Sequence, residues 1–327
     1  MLPLFILLAV RPPALAQEGA VRGVHDPCII RAGDAFYLFS TGPGIPIRRS
    51  ADLFRWERAG RVFDASPAWF AREVPGATGP WAPDIARFGG LYRLYYSVST
   101  FGSNRSCIGL ATNRALDPAD PEYKWVDQGP VLRSSRRDDY NAIDPNVAFD
   151  EDGRPWLAFG SFWSGIKLTR LDPDSGKPVE PVQLISLAAR PGSDAVEAPF
   201  LIRRRGFYYL FVSFDKCCQG VQSTYRVVVG RSPELTGPYV DRLGKPMVEG
   251  GGTTVVESAG RVRGPGHCAV LSEGGRDWLV HHFYDADNRG AQTLQIRPLR
   301  WGEDGFPVAG EPIDGPITPT AAPAPGR

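Results

Sequence analysis

Short apolar and aromatic runs alternate along the chain with turn residues, and one arrangement of them returns five times. Each copy opens on a polar residue beside Pro or Gly, continues through an apolar stretch, turns, and ends in an aromatic run. The first copy has Asp26 and Pro27, the apolar Cys28, Ile29 and Ile30, a turn at Gly33 and Asp34, then Phe36, Tyr37, Leu38 and Phe39. The others begin at Trp81–Asp84, Ile143–Pro145, Glu197–Pro199 and Gly264–His267, with turns at Gly89, Gly153, Gly206 and Gly274. Each reads as a β-hairpin, two short apolar runs around glycine-bearing turn residues. Third strands are expected near 106–111, 165–171 and 225–230, and Trp56, Trp125 and Tyr239 fall where an outer strand would lie. Strand sets recurring every ~50–70 residues have the spacing of propeller blades. No helical period of 3.6 is sustained anywhere. A two-sheet sandwich would account for the strands but not for their repetition. The pattern therefore predicts an all-β fold, a five-bladed β-propeller.

In a propeller the first strand of each blade lines the central axis, so the residues at the mouths of those strands share one cavity. Here they are Asp26, Asp84, Asp144, Glu197 and His267. An acid beside Pro is also a common turn initiator. That explains one or two copies better than four acids and a histidine in corresponding places. Two carboxyl groups on opposite sides of a sugar ring are what glycoside hydrolysis requires, one protonated to release the leaving oxygen and one ionised to activate water. A third carboxylate nearby helps keep the acid protonated. Trp81, Phe101, Phe162 and Trp163 lie near the mouths, as platforms for sugar faces or as packing between blades.

Composition narrows the partners. With 43% apolar and 22% charged residues, the 327-residue chain suits a soluble protein with a sizeable core. The net charge of +1 gives no electrostatic case for nucleic acid or a membrane surface. The short apolar run from Leu2 to Val10, with Ala14, Leu15 and Ala16 ahead of Gln17, reads as a signal peptide over 1–16, although the usual positive start is missing. Residues 17–327 then form a single propeller domain of a secreted protein, extracellular or periplasmic. Five cysteines leave at least one unpaired in a monomer, and no C-x-x-C spacing suggests zinc. Cys217 and Cys218 are either a vicinal disulfide or two small buried residues.

Several segments together resemble glycoside hydrolase family 43, and within it the arabinanases. They are His25-Asp26-Pro27, Trp81-Ala82-Pro83-Asp84-Ile85, the stretch from Asn141 to Asn146, Gly160-Ser161-Phe162-Trp163-Ser164-Gly165, Glu197-Ala198-Pro199-Phe200, Phe214-Asp215 ahead of Cys217-Cys218, and Gly264-Pro265-Gly266-His267. The resemblance implies an inverting endo-hydrolase of α-1,5-linked L-arabinofuranosyl chains, with arabinan as the polysaccharide partner. It implies Asp26 as general base, Glu197 as general acid and Asp144 as the residue that holds Glu197 and keeps its pKa high. His25, Trp81, Phe101, Asn141, Ser161, Phe162 and Trp163 would line the substrate groove. His267 would help hold a metal, calcium, at the axis. Since calcium prefers oxygen, such an ion would be largely coordinated by water.

Asp84 is read as structural, and His281 and His282 as core or surface residues. Arg133–Arg137 and Arg203–Arg205 are read as solvated turn charges, and the sequon at Asn104 as a match of formula only. Cys28 and Cys268 stand where the family more often has Ser and Asn, and their matching positions suggest a disulfide closing the first blade on the fifth. An exo-acting arabinofuranosidase or β-xylosidase would carry the same acids in a pocket closed at one end. The chain ends soon after the fifth repeat, leaving no room for a domain that would build such a wall, which favours endo action. A non-catalytic carbohydrate-binding propeller would have lost the acids, and here all three remain.

Overall fold

Alternation at period two decides where each strand's side chains go. The computed structural model describes residues 17–317, so the expected signal peptide lies outside the described residues. In blade I, β1 (Glu18–Gly19) edges a sheet formed by β2 (Cys28–Ala32), β3 (Ala35–Phe39), β4 (Pro46–Ser50) and β5 (Arg55–Arg61). After the short helix α1 (Trp69–Glu73), blade II has β6 (Pro80–Phe88), β7 (Leu91–Val98), β8 (Ser106–Asn113) and β9 (Val126–Ser134). Blade III comprises β10 (Asn146–Phe149), β11 (Pro155–Phe159), β12 (Ile166–Arg170) and β13 (Ile185–Ala188). Blade IV comprises β14 (Val196–Arg204), β15 (Phe207–Phe214), β16 (Arg226–Ser232) and β17 (Thr253–Val256), and blade V β18 (Val262–Glu273), β19 (Arg276–Asp285), β20 (Ala291–Trp301) and β21 (Pro307–Ala309). Within each blade the strands pair in chain order and antiparallel, apart from β1, which runs parallel to β5.

The five apolar clusters among the described residues are the five interfaces between neighbouring blades. Strand β3, buried throughout, sends Tyr37 and Phe39 toward blade II and Phe36 and Leu38 toward blade V. Likewise β7 sends Leu94 and Tyr96 back to blade I and Tyr95 on to blade III. Each large side chain buried this way stabilises the fold by about 1.5–3 kcal/mol. The aromatic run of every repeat is thus the middle of a three-layer packing and cannot be polar on either face. Closure of the ring falls to the N-terminal segment: the amide of Leu294 donates to Val21 O and that of Gly23 to Gln292 O, while Glu18 and Gly19 pair with blade I.

Three expectations are corrected. Cys28, Cys107 and Cys268 are free and buried, so no disulfide joins Cys28 to Cys268; Cys217 and Cys218 bond to each other. Tyr239 precedes rather than occupies the outer strand, which is β17. Arg204 is no solvated turn charge: it lies at the end of β14 and pairs with the buried Asp277 of blade V; Arg133 is solvated but lies in β9, not a turn, and pairs with Glu73. Asn104 is buried with its amide donating to Asp138 O and Tyr140 O, in keeping with a sequon of formula only.

Candidate active site

The mouths of the inner strands are built from a repeated bulge. The pairs Cys28–Phe39, Asp84–Tyr95, Asn146–Ala158, Phe200–Phe211 and Ala269–Val280 are equivalent across the blades, and in all five the register shifts or pairing begins just there. Two residues upstream, Asp26, Ala82, Asp144, Ala198 and His267 all have positive φ, between 42 and 56°. Such a conformation is uncommon for residues with a side chain and strains the backbone. It turns each peptide so that the side chain, or that of its neighbour, faces the axis.

This register corrects the expectation of four acids and a histidine in one slot. Asp26, Asp144 and His267 do share it. Glu197 stands one residue earlier, beside Ala198, and Asp84 two residues later than Ala82. Asp84 is consequently below the cavity, accepting from the amide of Val147 (2.8 Å) and from Asn146 Nδ2 (3.3 Å), with burial raising its pKa to about 6. Its structural reading stands.

A second set of equivalent positions, Thr41, Ser97, Gly160, Ser213 and His282, ties each bulge to the preceding blade. Thr41 Oγ1 accepts from Ala82 N (2.7 Å), Ser97 Oγ from Asp144 N (2.8 Å), Ser213 Oγ from His267 N (2.9 Å) and His282 Nδ1 from Asp26 N (3.1 Å). Blade III has no side chain to offer, because a Cβ on Gly160 would lie 2.4 Å from Gly165 O. There Asp144 itself accepts from Ala198 N (3.2 Å), which binds it to the peptide next to Glu197. His281 and His282 are both fully buried in β19, and His282 belongs to the site that sequence reasoning left it out of.

Above this ring lies a cavity of about 980 Å³ lined by all five blades. His25, Asp26, Trp81, Phe101, Asn141, Asp144, Ser161, Phe162, Trp163, Glu197 and His267 all line it, so every expected site residue is brought together. Trp81 and Phe101 stack at 5.1 Å between ring centres, and Phe101 is 78% exposed, as a platform rather than a core residue would be. Asn141 Oδ1 is buried without a hydrogen-bond partner among the described residues. Sequence reasoning missed Thr41, Tyr225, Tyr284, Cys217 and Cys218. The equal spacing of Thr41, Ser97 and Ser213 from Pro27, Pro83 and Pro199 was the signal for Thr41, and the Cys217-Cys218 pair stood within a segment that carries the family resemblance; Tyr225 and Tyr284 had none.

The carboxyl groups are driven apart. Burial pushes Asp26 upward, but the His25 and His267 charges and hydrogen bonds outweigh it and hold the carboxyl well below its usual value. Its contacts are His25 Nδ1 at 2.8 Å and Thr41 Oγ1 at 2.6 Å on one oxygen and His267 Nδ1 at 3.2 Å on the other. His267 is raised to about 9, its burial being outweighed by Asp26. Glu197 goes the other way, burial raising it despite the bonds from Ser161 Oγ (2.6 Å) and Tyr225. Tyr225 reaches it across Gly266, whose missing Cβ would sit 1.9 Å from the tyrosine ring. Asp144 is raised well above the ordinary range by burial, with Glu197 and Asp26 adding to the effect and His267 opposing it. One ionised carboxylate and two protonation-prone carboxyls in one groove can perform paired base and acid catalysis.

Calcium finds few protein ligands here. Among the described residues no group of three His, Cys, Asp or Glu ligand atoms includes His267, and its Nδ1 faces Asp26. The residues fit only an ion that keeps most of its water.

The family model described as glycosyl hydrolases family 43 matches residues 21–307. The chain is 46% identical over 309 residues to an extracellular endo-α-(1→5)-L-arabinanase of Bacillus subtilis, covering 92% of this chain and 93% of that one. It is 44% identical over 316 residues to an extracellular exo-α-(1→5)-L-arabinofuranosidase of Cellvibrio japonicus, covering 93% and 91%. Among solved structures, the α-L-arabinanase of Cellvibrio cellulosa complexed with arabinohexaose superposes with a TM-score of 0.86 at 43% identity, over 88% of this chain and 95% of that one.

Proposed function

The chain belongs to glycosyl hydrolase family 43 and is a glycoside hydrolase, and from that premise we propose that it cuts internal α-1,5-L-arabinofuranosyl linkages of arabinan with inversion. The observation that carries the reading is the opposed titration of Asp26 and Glu197 in one cavity. Asp26, kept ionised by two imidazoles, takes a proton from the attacking water. Glu197, whose protonated form burial favours, delivers its proton to the departing sugar oxygen. Asp144 acts beside it, bonded to the Ala198 peptide, while the charge of Asp26 adds to burial in resisting loss of Glu197's proton. Trp81, Phe101, Phe162 and Trp163 supply apolar faces for the sugars, while His25, Asn141 and Ser161 face the same groove.

His267 is the side chain that would hold a largely hydrated calcium ion, as a neutral imidazole, the ion then standing in for the imidazolium's positive charge beside the base. The enzyme is exported by its first 16 residues, in line with relatives named extracellular, and works as a monomer. Debranched linear arabinan, with aryl arabinofuranoside and xyloside alongside, tests the substrate. An early ladder of oligosaccharides is expected. Monosaccharide release from chain ends would instead support exo action, the second reading, which the exo-acting Cellvibrio japonicus relative at nearly the same identity favours. No turnover of any of the three would remove the arabinan assignment.

A further inference from the structure

The loop after β15 stands on a rigid base. Asp215 accepts from Arg190 Nη1 (2.7 Å) and Arg226 Nε (2.9 Å). At its tip Cys217 and Cys218 are disulfide-bonded, and both line the cavity. A bond between adjacent cysteines closes a small ring containing their peptide, which fixes the direction of the backbone there. Cys218 is held at a φ of +67°. Its amide donates to Tyr284 Oη (2.7 Å). Tyr284 Oη lies 2.8 Å from His25 Nε2, and His25 Nδ1 lies 2.8 Å from Asp26 Oδ2.

These contacts have one consistent sense. A backbone N–H can only donate, so Tyr284 Oη accepts there. The phenolic proton is then left for His25 Nε2. His25 Nδ1 therefore carries a proton, which it donates to Asp26. The opposite tautomer would set a bare nitrogen lone pair against a carboxylate.

We propose that Tyr284 and the Cys217–Cys218 turn are positioning elements that act through His25 to orient the carboxylate of Asp26. This rests on the reading of Asp26 as the base. It makes the reaction sensitive to reduction of a bond that touches none of the reacting atoms. Ring contacts support the geometry: His25 stacks on His282 at 4.0 Å, and Tyr284 meets the His282 ring edge-on. His282 in turn accepts the Asp26 amide, so backbone and side chain of one residue are held by the same cluster.

The test is steady-state kinetics of wild type, Tyr284→Phe and the double variant Cys217→Ala, Cys218→Ala on linear arabinan, each with and without tris(2-carboxyethyl)phosphine. The expected result is a fall in kcat of about 10- to 100-fold in Tyr284→Phe, as misplacement of a reacting group produces. KM should stay within about twofold. Reduced wild type and the double variant should show the same split, and reduction of Tyr284→Phe should add less than about twofold, because both act on one path. A raised KM with kcat intact would overturn the proposal and make the disulfide a wall of the sugar groove. An unchanged kcat in both variants would overturn it outright. Nitrogen-15 spectra of the imidazoles need no turnover: wild type should show His25 protonated at Nδ1, and the Nε2-protonated form would overturn the proposal whatever the substrate. Absence of turnover with the Nδ1 form present would count against the arabinan reading alone.

Discussion

Replacing Thr41 by Val removes one hydroxyl and keeps the shape of the side chain, yet the structure gives that hydroxyl two tasks. It donates to Asp26 Oδ2 at 2.6 Å and accepts from Ala82 N at 2.7 Å. The bond to the ionised carboxylate is worth about 1.5–3 kcal/mol, and an orphaned buried N–H costs about 1–3 kcal/mol. Since Asp26 keeps its bonds to His25 and His267, the two do not add in full. A loss of about 2–5 kcal/mol follows. At ~2 °C per kcal/mol for a large domain, the unfolding midpoint should drop by about 4–10 °C. Calorimetry or denaturant titration reads this directly, with Ser97→Ala and Ser213→Ala as controls that lose the blade-to-blade contact and no bond to Asp26. They should lose only about 1–3 kcal/mol. Activity of folded Thr41→Val should fall about tenfold through kcat as the base loses a tether. A Thr41→Val enzyme no less stable than Ser213→Ala would refute the double role, and losses under about 0.5 kcal/mol in all three would refute the contacts between blades as contributors to stability.

Other consequences follow from the same coordinates. Glu197→Gln should cost about 10²–10⁴ in kcat with the circular dichroism spectrum unchanged, and wild-type turnover by this variant would remove Glu197 as the acid. Because Glu197 must keep its proton and burial raises its pKa, the alkaline limb of the wild-type pH–rate profile should lie above the ordinary glutamate value of about 4.3; a limb at or below that value would contradict the assignment. Asp277 accepts from Arg204 Nε and Trp301 Nε1, each at 2.7 Å, and from Ser272. Burial would raise its pKa, but those bonds and the Arg204 charge hold it below the usual value. Its stabilisation is therefore present at neutral pH and is lost as pH falls through the lowered value. Asp277→Asn should cost about 3–5 kcal/mol at neutral pH and less in acid, read from denaturant titrations at both. Phe101→Ala should raise KM for the polymer about 2- to 10-fold, the worth of one aromatic contact, without shifting the unfolding midpoint; an unchanged KM would take Phe101 out of the binding surface.

How far the sequence could be read depended on whether the determining interactions were local. Every blade was visible, because a strand packed on both faces must be apolar at successive positions, as Phe36–Phe39 and Leu94–Tyr96 are. The identity of the site residues was visible as well, since acids beside Pro at the start of those runs stand out against their surroundings. Their registration was not. Counting from the first polar residue of each repeat set Asp84 and Glu197 level with Asp26, whereas counting from Pro27, Pro83, Pro145 and Pro199 sets Ala82 and Ala198 there instead. The bulge fixes the count at proline, because the strained residue directly precedes it. Arg204 and the free pair Cys28 and Cys268 show the other limit: whether a charge is solvated or a thiol is paired depends on what an adjacent blade presents, and the chain does not write that locally.

The registration carries a consequence for how such a site is held. In four blades the strained peptide is caught by a side chain of the blade before it, and only blade III, where Gly160 can carry no side chain, leaves the task to a catalytic-site acid. Asp144 thus closes a gap in the ring by binding the peptide beside Glu197. Its carboxyl has two roles, an acceptor for Ala198 N and a titrating group whose proton is held by burial and by the neighbouring Glu197 and Asp26. Asn in its place would keep an acceptor for the peptide and lose the titrating group, while Ala would lose both. The geometry therefore separates holding from electrostatics: the difference between Asp144→Asn and Asp144→Ala in stability measures the first, and the activity that Asp144→Asn loses while still folded measures the second.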